Sequence, residues 1–271
     1  MALTPAQQTL LDRIHAVLAA DPVILAAWLG GSLGAGGGDR FSDLDVVVLT
    51  AAGATSQTGQ RYAATIDAIA PPALVNPLFG ARVVNVVTLD WERFDLSFVE
   101  PGELGRFDPA RLTLLFNRGD HVPPPRAAEA AYAPAPETVL ALINEFLRVL
   151  GLAVVGLERE EYVLGLTGLE LLRRLTLDLM LEENGVSPAD RGGALHRNPF
   201  LTQDQRRALE TLRPAAANRA DLLAGDAAIA AVFLPRARAL AARTGAVWPQ
   251  AFEEATRRHL RERLGLEIPT G

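Results

Sequence analysis

The sequence predicts an α+β protein in two parts: an N-terminal domain over residues 1–125, in which strands and helices intermix, and a C-terminal helical bundle over 126–271. Three observations carry this. Short apolar runs of strand length, bounded by glycine and proline, are confined to the first half. The second half is made of long stretches with helical periodicity. Between them, 121–136 holds Pro123, Pro124, Pro125, Pro134 and Pro136, a stiff segment that neither continues a helix nor pairs as an inner strand. A chain of 271 residues is also long enough for two ordinary hydrophobic cores.

In chain order, Thr4, Pro5 and Gln7 form a capping box with proline at the first helical position. Leu10, Leu11, Ile14 and Leu18 follow at helical spacing, so a helix runs to about Ala20. Asp21 and Pro22 break it, and 23–29 reads as a strand. The near-continuous apolar run 44–49 has the character of a central strand covered on both faces. A helix is expected over 60–69, stopped by Pro71 and Pro72. The segments 82–89 and 93–99 read as adjacent strands, the second alternating Phe94, Leu96 and Phe98 against Arg93, Asp95 and Ser97; 112–116 adds another strand. Helices are then expected over 137–157, 160–183, 203–212, 219–243 and 248–264, with Gly185 as a stop signal after the second. The most apolar stretch, 140–157, is interrupted by Asn144, Glu145 and Arg148 and reads as a buried helix rather than a membrane span. Trp28, Trp91 and Trp248 read as core or rim aromatics.

Composition narrows the chemistry. With 49% hydrophobic and 21% charged residues the chain is of the folded kind. The net charge is −6, about −5 of it in the first 125 residues, and no basic run exceeds two arginines, which argues against a nucleic-acid partner. There is no cysteine, hence no thiolate nucleophile or Cys-bound zinc. All 26 basic residues are arginine, so Schiff-base and P-loop lysines are excluded. No secretion signal is read at the N-terminus, and the cytoplasm is the expected compartment.

A glycine-rich loop, 30–38, suggests phosphate binding, yet the two commonest motifs fail on spacing. A dinucleotide fingerprint needs a third glycine where Asp39 or Phe41 stands, and a P-loop needs a lysine. What remains is Gly31 and Ser32 in a turn, then Ser42, Asp43, Leu44 and Asp45 opening a strand. Side chains at i and i+2 leave one face of a strand, so Asp43 and Asp45 point the same way near the glycine turn. Two carboxylates about 4 Å apart repel by roughly 4 kcal/mol at an effective dielectric near 20, a cost that a divalent cation removes. Hard oxygen donors without histidine or cysteine select magnesium or manganese over zinc.

Gly31-Ser32, ten intervening residues and Asp43-x-Asp45 resemble the GS…DxD signature of the nucleotidyltransferase superfamily, which includes DNA polymerase beta and the aminoglycoside and lincosamide nucleotidyltransferases. Gly36 five residues after Gly31, and Ser42 just before the first aspartate, agree with the longer pattern. The resemblance spans about 23–100. It implies a small mixed sheet flanked by helices, followed by a helical domain that closes the acceptor site. It also implies a third carboxylate on a later neighbouring strand; Asp95 occupies that position, and its place on the polar side of an alternating strand is independent support. Many relatives carry an arginine shortly after the Gly-Ser pair; here Leu33 and Ala35 stand there and Arg40 comes later, as the candidate for triphosphate contact.

The resemblance further implies that Ser32 and the backbone N–H groups of the turn hold the β and γ phosphates, and that Asp43, Asp45 and Asp95 hold Mg2+ or Mn2+. A glutamate of the helical domain serves as general base in some relatives, and Glu145 is the candidate, against a plain pairing with Arg148 one turn away. The expected activity is transfer of a nucleoside monophosphate, AMP from ATP or the equivalent from another NTP, to a hydroxyl of a small molecule such as an aminoglycoside- or lincosamide-like antibiotic. Expected partners are the nucleotide and that acceptor, with no nucleic acid and no membrane; a homodimer is left open. Two alternatives stand beside it: an antitoxin-like or degenerate regulatory module that binds nucleotide without turnover, and transfer of AMP to a protein hydroxyl. Arg191 and His196 have the spacing of a ribonuclease motif found in helical toxin domains, but Gly192, Gly193, Asn198 and Pro199 place them in a loop.

Overall fold

The computed structural model describes residues 3–125, 131–191 and 196–269. The chain divides into two compact units, Met1–Glu129 and Ala130–Gly271. The first is α+β. Its elements are α1 (Pro5–Ala20), β1 (Ile24–Leu29), the one-turn helix α2 (Gly31–Gly34), β2 (Leu44–Thr50), α3 (Thr55–Ala64), β3 (Pro72–Leu78), β4 (Val83–Thr88), β5 (Arg93–Val99) and β6 (Thr113–Asn117). The strands form one sheet in the order β3-β4-β5-β2-β1-β6. Only β2 and β5 run parallel; every other neighbouring pair is antiparallel. Because parallel neighbours need a crossover, the chain leaves β2 through α3, builds the β3–β4 hairpin and returns as β5 beside β2.

Alternation along the strands sorts their side chains into two layers. On one face, Val46, Val48, Phe94, Leu96 and Phe98 pack with Ile14 and Leu18 of α1 and Tyr62 of α3. On the other, Ala26, Trp28, Val47, Leu49 and Val99 pack with Leu104. The central strand β2 is therefore apolar on both faces between half-buried Asp45 near its start and buried Thr50 at its end.

Two elements differ from the sequence expectation. The strand β3 carries Pro72 and Pro77, which argue against a strand, but it lies at the sheet edge, where a missing N–H is tolerated. The helix expected over 60–69 begins five residues earlier as α3, after which Ile66–Ala68 tightens into a 3-10 turn. Gly59 makes that stretch a poor helix on propensity, and the packing explains it: a Cβ at Gly59 would lie 1.7 Å from the Ala81 carbonyl oxygen. Trp91 is neither core nor rim but 78% exposed at the β4–β5 turn.

The second unit is helical, with α4 (Pro136–Glu158), α5 (Tyr162–Glu183), α6 (Gln203–Glu210), α7 (Arg219–Thr244) and α8 (Gln250–Leu264). Its core joins α4, α5, α7 and α8, with Phe146 stacked on Phe233 at 3.7 Å between ring centroids. By length and composition alone α4 could cross a membrane, yet Val139, Ile143, Phe146, Leu147 and Leu150 are fully buried in this core. Replacing Gly59 with alanine is expected to lower stability by about 1–3 kcal/mol through overpacking, read as a fall in the urea midpoint at unchanged m-value.

Candidate active site

The turn after β1 is built around a glycine at which any side chain would be strained. Gly31 has φ +59°, a left-handed conformation, and a Cβ there would sit 1.8 Å from the Oδ2 of Asp45. The turn is sewn to the same residue through the backbone, since the Gly30 N–H donates to the Asp45 carbonyl oxygen at 2.7 Å. The Asp45 carboxylate thus lies directly against the Gly31-Ser32 turn. In the parallel β2–β5 ladder Asp45 is the register partner of Asp95. Register partners share a face, and adjacent strands are about 4.8 Å apart, so the two carboxylates are immediate neighbours. Asp43 stands one residue before β2, half-buried, and its charge acts on both.

The electrostatics follow from this crowding. Burial, reinforced by the negative charges of Asp43 and Asp95, pushes the Asp45 carboxyl up to about 6, with Arg93 pulling the other way. Burial also raises Asp95, again with Asp43 adding to it, while a hydrogen bond from Asn85 and the charge of Arg93 oppose the rise.

Three residues that the sequence reading did not single out hold this arrangement. Asn85 of β4 is the register partner of Asp95 on its other side. Arg93 of β5 donates to the Phe41 carbonyl oxygen at 2.7 Å, strapping the loop before Asp43 to the sheet. Gln7 of α1, only 2% exposed, donates to the carbonyl oxygens of Asp39 at 3.0 Å and Ser42 at 2.9 Å while its own carbonyl accepts from Thr4. A signal existed for two of them: Asn85 interrupts an apolar strand, and Arg93 shares the polar parity of Asp95. The tertiary role of Gln7 is hidden behind its capping role.

The remaining candidates divide. Ser32 donates to the Ser42 hydroxyl at 3.1 Å. Ser42 in turn donates to Asp39 Oδ1 at 3.1 Å and accepts from the Asp39 N–H at 3.0 Å, so its hydroxyl holds the loop together. Gly36 is exposed at φ +74° with open space around it. Arg40 is exposed, its guanidinium 4.5 Å from the Phe41 ring centroid. Glu145 belongs to the helical unit. There Arg148 grips both of its carboxylate oxygens, at 2.6 and 2.7 Å, and that hydrogen bond holds the carboxyl below the usual range. A carboxylate already neutralised by a guanidinium is a poor general base. Arg191 is bound to buried Glu182, a structural pairing, and 192–195 lie outside the described residues.

Among the described residues no three His, Asp or Glu side chains converge closely enough to hold a metal ion as they stand. The donor set at this turn nonetheless fits one in kind: Asp43, Asp45 and Asp95 offer hard oxygens and negative charge that Arg93 offsets only in part, with neither histidine nor cysteine among them, as magnesium or manganese requires.

No protein-family model and no curated protein matches the chain. Among solved structures it is similar to an aminoglycoside 6-adenyltransferase from Bacillus subtilis, at 14% identity and a TM-score of 0.46 over 94% of this chain and 98% of that one. It is also similar to a CCA-adding enzyme in its apo form, at 13% identity and a TM-score of 0.38 over 93% and 68%.

Two outcomes are expected from the site itself. Gly31→Ala forces the Asp45 carboxylate aside and strains a left-handed position, so the variant is expected to lose about 1–3 kcal/mol of stability, read as a lower urea midpoint. The second is a pH effect in buffer free of divalent cations. Because the folded-state Asp45 value lies above its ordinary one, its protonated form favours folding at about pH 4, and that contribution is lost as pH rises through 6. The stability of the native chain relative to Asp45→Asn should therefore fall by about 1–3 kcal/mol between pH 4 and 7.5, after allowing for partial solvent screening.

Proposed function

We propose that the protein is a metal-dependent nucleotidyltransferase that moves a nucleoside monophosphate, AMP from ATP, onto a hydroxyl of a small molecule. The observation that carries this reading is the in-register pair of Asp45 and Asp95, with the Asp45 carboxylate packed so close to the glycine turn that a Cβ at Gly31 would strike it. Such a pair is costly unless a cation and its polyphosphate occupy the site. At about 5 Å and an effective dielectric near 20, the like charges repel by roughly 3 kcal/mol.

In this scheme Asp43, Asp45 and Asp95 would hold a divalent metal, which when bound would neutralise the triphosphate and acidify the acceptor hydroxyl. The Ser32 hydroxyl and the turn N–H groups orient the β and γ phosphates, and exposed Arg40 reaches the triphosphate from the loop. The acceptor oxygen attacks the α-phosphorus, the bond to the β-phosphate oxygen breaks, and pyrophosphate leaves. The acceptor proton leaves to solvent water. We assign acceptor recognition to the helical unit; an aminoglycoside- or lincosamide-like antibiotic is the acceptor class that the motif resemblance favours.

The test is magnesium-dependent pyrophosphate release from ATP over a panel of aminoglycosides, lincosamides and simple polyols. Release with at least one acceptor is expected, and Asp45→Asn or Asp95→Asn should lower kcat/KM by about a thousandfold or more with the fold intact. ATP binding without release across the panel supports the regulatory module instead. Labelling of protein by tagged ATP supports a protein acceptor.

A further inference from the structure

The helical unit contains three buried carboxylates among its described residues, and two of them are fully answered. Glu253, 1% exposed, receives hydrogen bonds from Arg238, Arg257 and the Trp248 indole. Glu182, also 1% exposed, receives them from Arg191 and Tyr132. The third, Asp226 of α7, is 5% exposed and has neither hydrogen-bond nor ion-pair partner among the described residues. Burying a carboxylate without a partner costs several kcal/mol in general, so the position is anomalous within its own domain.

Asp226 lines a cavity of about 350 Å³ between α4, α5 and α7. Apart from Arg148 the other walls are apolar, including Leu152, Val155, Leu171 and Leu222. Leu152, Val155 and Leu164 remain exposed at its edge, an apolar surface that a lone helical bundle does not need. Two glycines keep the space open: a Cβ at Gly156 or Gly168 would meet nothing within 4 Å. The neighbouring cation, Arg148, also lines the cavity, but its guanidinium is committed to Glu145. Volume, apolar walls and one convergent polar group are the features of a small-molecule site.

We propose that this cavity binds a small apolar ammonium compound, its hydrocarbon body against the leucines and its charged nitrogen on the Asp226 carboxylate. A neutral ligand would leave the carboxylate unanswered, and a polar polycation would waste the apolar walls. With the cavity empty, burial pushes the Asp226 carboxyl up to about 7, so the charge is poorly tolerated until a cation arrives. None of the residues named for metal or triphosphate binding lines this cavity.

The test uses 1-adamantanamine and its neutral isostere 1-adamantanol, titrated calorimetrically into the full chain without nucleotide. The amine is expected to bind about tenfold or more tightly than the alcohol, the margin of a charge-assisted hydrogen bond. Asp226→Asn should erase that preference while raising the melting temperature, because it removes an unpaired buried charge. Gly168→Leu, which fills open space, should abolish binding of both. The proposal is overturned if the native chain binds neither compound or both alike, or if Asp226→Asn keeps the preference. It is equally overturned if Asp226→Asn lowers the melting temperature, which would mark Asp226 as a structural residue. None of these outcomes bears on pyrophosphate release, so failure here leaves the nucleotidyltransferase reading to its own assay.

Discussion

The placement of Asp45 beside Asp95 on two parallel strands is the constraint around which the first unit is organised. Like charges at neighbouring register positions oppose folding, and the surrounding structure is arranged to hold them there regardless. The apolar residues flanking each aspartate, Leu44 and Val46 on β2 and Phe94 and Leu96 on β5, are buried in the opposite layer and fix the register. A one-residue slip of either strand would carry its carboxylate into that apolar layer. The crossover that makes β2 and β5 parallel also spends a helix and a hairpin to bring the second aspartate back to the first, a long-range closure that local propensity alone would not favour.

Around this pair the loop 39–42 is held from three directions: Gln7 from the first helix, Arg93 from β5, and the Ser32–Ser42–Asp39 chain of hydroxyl and carboxylate contacts within the turn itself. A loop so tied keeps Asp43 near the pair without occupying the carboxylates. That division of labour, with some polar groups holding the loop and others left for a ligand, is what preorganisation of a charged site requires.

The legible parts of the fold were those where one signal dominated. Helical periodicity placed α4, α5 and α7 to within two residues at each end, and alternation in 93–99 put Asp95 on the polar side of its strand. Parity likewise put Asp43 and Asp45 on one side, and the register of β2 with β5 then sets Asp95 next to Asp45. What stayed hidden depended on tertiary packing. The prolines of β3 are acceptable only because the strand is an edge, and Gly59 sits in a helix only because another segment passes close to it. Gln7 and Asn85 act across the fold, through partners 35 and 10 residues away in the chain, which no local window contains. The helical unit was readable as a set of amphipathic elements, yet the lack of a partner for Asp226 became visible only once its neighbours were in place.

In the function proposed for this protein, the three aspartates at the glycine turn share a cation that carries the triphosphate. Anomalous diffraction from crystals grown with Mn2+ and a nonhydrolysable ATP analogue tests it most directly. The account predicts a manganese peak in contact with the carboxylates of Asp43, Asp45 and Asp95, with the phosphates lying along Gly31 and Ser32. Manganese and triphosphate bound together elsewhere on the protein, leaving Asp45 and Asp95 untouched, would contradict it.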